Sequence, residues 1–142
     1  MRESYYKARI VKEVKDAGGY ARRIEDQYAV GIPDLTLIPK GGPVYFAEAK
    51  IIKGPWGATD RQYVDLCRIN DTESGAIAFL IGIDERTRTY VAARPSTNVR
   101  AKDVITSGPI ERGSIARILD EVARYYSNSS GEDAPSSIAA SA

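Results

Sequence analysis

Glu48 and Lys50 stand two residues apart in the segment VYFAEAK (44–50), and Asp34 opens the preceding segment DLTLIP. Residues two apart in a strand project from the same face, so this spacing sets a carboxylate beside an ammonium. Ala47 and Ala49 then point the other way, into apolar packing. An acid and a base on a core strand are costly unless they are paired or used. For an isolated Glu-x-Lys the commoner arrangement is an exposed face with a cross-strand ion pair. Asp34 changes that balance. Lys40-Gly41-Gly42 forms a hairpin turn that brings Asp34 back close to Glu48 or Lys50. Gly31-Ile32-Pro33 bends the backbone ahead of it, and Pro33 cannot donate a ladder hydrogen bond. Two carboxylates converging at a strand end beside a lysine make a divalent-metal site with a local cation. That chemistry suits phosphodiester hydrolysis. The metal polarises a phosphoryl oxygen and acidifies a water, while lysine orients the water or stabilises developing charge.

The rarer residue types narrow the alternatives. The chain has no histidine, which excludes Ser-His-Asp and Cys-His catalysis and any His-ligated metal. One cysteine, Cys67, permits neither an internal disulfide nor a Cys-rich zinc site, and it reads as core. A catalytic metal must therefore be held by carboxylates, carbonyls and water, which suits Mg²⁺ or Mn²⁺. With 142 residues, 43% apolar and 27% charged, the composition is that of one soluble globular domain. No apolar run approaches the roughly 18 residues of a membrane span. The N-terminus lacks the continuous apolar core of a secretory signal, so an intracellular, cytoplasmic protein is expected. The net charge is +1, or +3 for residues 1–126, because the last sixteen residues carry two acids and no base. Binding of a polyanion would need bases concentrated locally.

The elements that must position these residues follow from periodicity. Residues 3–17 read as an amphipathic helix with Tyr6, Ile10, Val14 and Ala17 on one face and Val11 at its edge, stopped by Gly18-Gly19. Residues 20–25 read as a short strand, 34–39 and 44–50 as a hairpin, and 60–70 as a helix with Tyr63, Leu66, Cys67 and Asn70 at helical spacing. AIAFLIGI (76–83) is a continuous apolar run of the kind buried on both faces. Residues 89–93 give another strand. Residues 94–113 read as irregular, with a short strand at 103–106, and a last helix starts at Ser114 with Ile115, Ile118, Leu119, Val122 and Tyr126 inward. Residues 127–142 form a Ser/Ala-rich tail too poor in apolar residues to fold alone. A hairpin followed by a helical crossover implies an α/β fold with a central mixed sheet flanked by helices.

GIPDLTLI, then VYFAEAK, then a helix carrying DRQY resembles the PD-(D/E)xK nuclease superfamily, with spacing similar to the virus-type replication-repair nuclease (VRR-NUC) group. The likeness spans residues 3 to about 83. It implies a restriction-endonuclease-like αβββαβ core and metal-dependent cleavage of DNA. Asp34 and Glu48 would ligate Mg²⁺ or Mn²⁺, the Ala49 carbonyl would join them, and Lys50 would be the catalytic lysine. A free-standing domain of this size is similar to phage-encoded members, which act in the host cytoplasm. Nicking, double-strand cutting, flap cutting and junction resolution all use such a core, and junction resolution would require a homodimer.

Further positions carry two readings each. The family pattern sets a glutamate near the start of the first helix, and Glu3, fifteen residues before Gly18, matches it. Glu3 lies near the centre of the apolar stripe, where a nearby metal would justify a charge, whereas Glu13 falls toward the edge. The alternative is a solvated acid favoured by the helix dipole. Gln62 matches the family's helix glutamine beside the lysine, yet Thr59-Asp60-Arg61-Gln62 also reads as a capping box. Lys53 and Trp56, after the Glu-x-Lys strand, could touch phosphate and base, or Trp56 could pack over the second helix. Arg22, Arg23 and Arg61 flank the site and could hold the nucleic-acid backbone. Two other classes of function stay open: a nuclease fold that binds without cutting, and an interaction protein acting through residues 94–113 and the tail.

Overall fold

A computed structural model describes residues 2–24 and 32–129 of the chain. The elements run α1 (Arg2–Asp16), β1 (Tyr20–Arg23), β2 (Leu35–Ile38), β3 (Tyr45–Ile51), α2 (Asp60–Asp71), β4 (Ile77–Asp84), β5 (Thr89–Ala93), a 3-10 turn (Ala101–Asp103), β6 (Val104–Pro109) and α3 (Ser114–Ser129). The six strands form one sheet in the order β1-β2-β3-β4-β5-β6. Neighbours are antiparallel except β3 and β4, which are parallel and joined by α2, the crossover that a parallel pair requires. The fold is therefore α/β, with a mixed sheet between helices, consistent with a restriction-endonuclease-like core.

Alternation along the strands sorts the core into two layers. On one face Leu35, Leu37, Tyr45, Ala47, Ala49, Phe79, Ile81 and Ile83 pack against Tyr6, Ile10 and Val14 of α1 and Ile115, Ile118 and Val122 of α3. On the other, Ala78, Leu80 and Ala93 pack against Leu66 of α2, with Phe46, Trp56 and Tyr63 at the margin. β4 is buried from Ile77 to Ile83, as its unbroken apolar run implies. Among the described residues no helix is long and apolar enough to cross a membrane.

Three local expectations change. Ala17 is exposed and sits at the C-cap of α1, outside the buried stripe. The Gly19 N–H donates to the Val14 carbonyl and the Gly18 N–H to the Lys15 carbonyl, a Schellman ending with Gly18 at φ 91°. Residues 94–113 are more regular than their sequence suggests. The Asp103 carboxylate accepts from Arg94 Nε (2.8 Å) and the Arg100 N–H (3.0 Å), which folds the loop back and delivers β6 to the edge beside β5. The last helix continues to Ser129, past the boundary at 126, so the rest of the expected tail, residues 130–142, lies outside the described residues.

Candidate active site

The hairpin register decides which acidic groups meet. Leu35 pairs with Ala47 and Leu37 with Tyr45, so one further step sets Asp34 opposite Glu48. The turn that fixes this register uses Gly41 and Gly42 at φ 91° and 74°, where a side chain would be strained. Asp34 is held at both ends. The Ile24 N–H donates to its backbone carbonyl at 2.9 Å, and the Ala49 N–H donates to its Oδ1 at 3.2 Å. The N–H and C=O of one strand residue leave by the same edge. The Ala49 carbonyl therefore also faces the β2 side, beyond the last pair of that ladder.

Both acids are buried, Asp34 at 9% exposure and Glu48 at 4%, and among the described residues Glu48 Oε1 has no hydrogen-bond partner. Burial pushes the Glu48 carboxyl up to about 8. The charge and hydrogen bond of Asp34 add to the rise, while Lys50 and Lys7 oppose it. Lys50 is half-buried on the Glu48 face, next to Gly82 of β4.

Lys7 was not anticipated as a site residue. Its ammonium lies 2.5 Å from Asp34 Oδ2 and 3.1 Å from Glu3 Oε1, with the side chain only 18% exposed. Burial disfavours the Lys7 charge, but hydrogen bonds and charges from Asp34, then Glu3, hold its pKa above the ordinary lysine value. The available signal was its place on the buried side of α1, three and four residues before Ile10 and Val11. The first turns of α1 are tethered on two sides. Arg23 donates to the Ser4 carbonyl (3.0 Å) and Oγ (2.8 Å), and the Tyr6 hydroxyl donates to Glu85 (3.1 Å).

The remaining candidates divide. Glu3 reaches the site only through Lys7. Its carboxylate is committed to that ion pair, and among the described residues no group of three or more acidic or cysteine side chains is arranged to hold a metal. Gln62 completes the capping box: its Oε1 accepts from the Thr59 N–H (2.9 Å), and its own N–H donates to Thr59 Oγ1 (3.2 Å). Arg23 is turned onto α1, where it donates to Ser4. Lys53 and Arg61 are exposed, and Arg22 is exposed on β1 opposite Thr36. By alternation Arg22 shares the face of Tyr20, Thr36, Phe46 and Glu48, where α2 covers β4 and no other described element covers the β1–β2 side. Trp56 packs over Gly82, where an added Cβ would lie 2.6 Å from its ring.

The donor set suits a hard divalent cation. Two carboxylates, with Glu48 Oε1 unpartnered among the described residues and Asp34 Oδ2 ion-paired to Lys7, and a strand-edge carbonyl offer oxygen only, and Mg²⁺ is commonly bound through one or two carboxylates with water completing its shell. Models of known protein families and curated proteins give no match to the chain.

Proposed function

We propose that the protein is a Mg²⁺- or Mn²⁺-dependent deoxyribonuclease of the PD-(D/E)xK kind, similar in motif spacing to the VRR-NUC group. It would hydrolyse DNA phosphodiester bonds in the cytoplasm, that of the host if it is phage-encoded. The observation that carries this reading is the buried Glu48 carboxylate, with one oxygen unpartnered among the described residues, against the buried Asp34. Adjacent buried acids repel, and a divalent cation between them offsets that cost.

Asp34 and Glu48, with the Ala49 carbonyl, would hold the ion. When bound, it supplies Lewis acidity toward a phosphoryl oxygen and lowers the pKa of the attacking water. Glu48 must give up its proton to serve as a ligand, so binding near neutral pH releases a proton. Lys50, on the same face, orients the water or stabilises charge developing on the phosphoryl oxygens. Arg22, Arg61 and Lys53 would meet phosphates approaching over the open part of the sheet. A single copy suffices for nicking, whereas resolving a junction needs a homodimer.

The test is supercoiled plasmid incubated with the purified protein. Cleavage is expected with Mg²⁺ or Mn²⁺ and none with EDTA. Asp34→Ala and Glu48→Ala should each abolish it with the fold intact. Cutting in EDTA, or by either variant at near wild-type rate, would refute the site. Retention of DNA without cutting would instead favour a non-cleaving nucleic-acid module.

A further inference from the structure

Asp34 presents one oxygen to a backbone donor and the other to a cation. Its Oδ1 takes the Ala49 N–H, and its Oδ2 faces the Lys7 ammonium at 2.5 Å. A divalent ion has the clearer approach to Oδ2, where no N–H competes, but it cannot share that position with an ammonium, because like charges repel strongly in so buried a place. Lys7 has a second acceptor within reach. Glu3, one helical turn earlier, already lies 3.1 Å from the ammonium, and its side chain is more exposed than that of Lys7, 40% against 18%. The flexible lysine stem lets the ammonium shift outward toward Glu3 while the tethered helix stays in place.

Resting on the metal-dependent reading above, we propose that Lys7 is a built-in counter-cation that holds Asp34 in the metal-free protein and yields it to the metal, with Glu3 receiving the displaced ammonium. Glu3 is then a positioning residue that acts through Lys7 and is not itself a ligand. Lys7→Met keeps the aliphatic stem and removes the charge. It leaves the two acids without their counter-cation, so the metal-free protein loses stability while metal affinity rises. Glu3→Gln removes the receiving acceptor and lowers affinity, but only while Lys7 is present.

Calorimetric titration with Mn²⁺ and melting in EDTA, on the full chain, test this in a double-mutant cycle. Lys7→Met should bind Mn²⁺ about tenfold more tightly, near 1.4 kcal/mol, and melt several degrees lower in EDTA. Glu3→Gln should weaken binding about threefold in the wild-type background and leave it unchanged beside Lys7→Met. Unchanged or weaker affinity in Lys7→Met overturns the proposal, as does an equal loss from Glu3→Gln in both backgrounds, which would make Glu3 a direct ligand. Should Lys7→Met not fold, Lys7→Arg carries the test. Its forked, fixed cation grips Asp34 harder, so Mn²⁺ affinity should fall below wild type, and an equal or higher affinity refutes the exchange. Asp34→Asn separates the two levels. Mn²⁺ binding that survives it, or that is lacking in the wild type, removes the metal site itself, whereas loss in Asp34→Asn with no effect at Lys7 removes only the counter-cation.

Discussion

Glu48→Gln should make the metal-free protein more stable at alkaline pH. In the folded chain burial, then Asp34, pushes the Glu48 carboxyl from the ordinary 4.5 up to about 8. Below 4.5 both the folded and unfolded chains hold the proton, and stability does not depend on it. Between 4.5 and 8 the folded chain keeps a proton that the unfolded chain has released. Stability therefore falls as pH rises, by about 1.4 kcal/mol per pH unit, and stays low above 8. Across the whole window the ceiling is roughly 5 kcal/mol, and side-chain relaxation with water entry brings it to roughly 2–3 kcal/mol. For a domain of this size that corresponds to roughly 5–10 °C in Tm. Glutamine cannot ionise, and its N–H can donate to Asp34 as the protonated carboxyl does. In EDTA the variant should thus melt close to wild type at pH 5 and roughly 5–10 °C higher at pH 9. Adding Mn²⁺ at pH 8 should raise the Tm of the wild type and leave the variant unmoved. Parallel pH dependences in EDTA would mean that Glu48 ionises in the folded protein without penalty, and the case for a cation between the two acids would lose its basis.

Lys50→Ala should cut plasmid about 10²- to 10³-fold more slowly while keeping Mn²⁺ affinity within about fivefold, since Lys50 acts on water or charge and is not a ligand; an affinity loss as large as that of Glu48→Ala would merge the two roles. Gly82→Ala sets a methyl 2.6 Å from the Trp56 ring and 2.7 Å from Ile52 Cδ1. It should destabilise by about 1–3 kcal/mol and shift Trp56 fluorescence, and an unchanged spectrum would mean the indole does not pack there. Asp103→Ala strips the acceptor from Arg94 and from the Arg100 N–H, with an expected loss of about 2–4 kcal/mol by urea denaturation; a loss under about 0.5 kcal/mol would show the loop held by other contacts.

The parts legible from the sequence are those where a local rule and the tertiary structure agree. The 41–42 turn and the two-residue period of the hairpin indicated that Asp34 would face Glu48 or Lys50, because a slip by one residue would bury the wrong face of both strands, and the register selects Glu48. β4 showed itself by its apolar run, and α3 by Ser114 ahead of an amphipathic stripe. β6 was half legible. VITSGP lacks a clean alternation and ends in proline, so its pairing depends on β5 and on the Asp103 clasp, neither of which is a local signal. Gln62 satisfied two motifs at once, and in the structure the shorter-range one holds it, because a cap needs only residues already adjacent in the chain.

Charges on α1 show where periodicity stops. A helical wheel can say that Lys7 sits on the buried side and so needs a partner, but not which one, since that partner is brought by a strand 27 residues away. The same holds for Glu13, toward the edge of the apolar stripe. Its Oε1 accepts from the Gly113 N–H at 3.0 Å, a hundred residues on, and its Oε2 is buried. Glu13 therefore ties α1 to the loop that starts α3. The two acids of α1 differ through what the sheet and α3 bring to them. Glu3 faces an ammonium that itself faces the active-site aspartate, so a change there can reach the metal through one intermediary. Glu13 faces a backbone amide in the opposite part of the fold, so a change there should move stability and leave metal affinity alone.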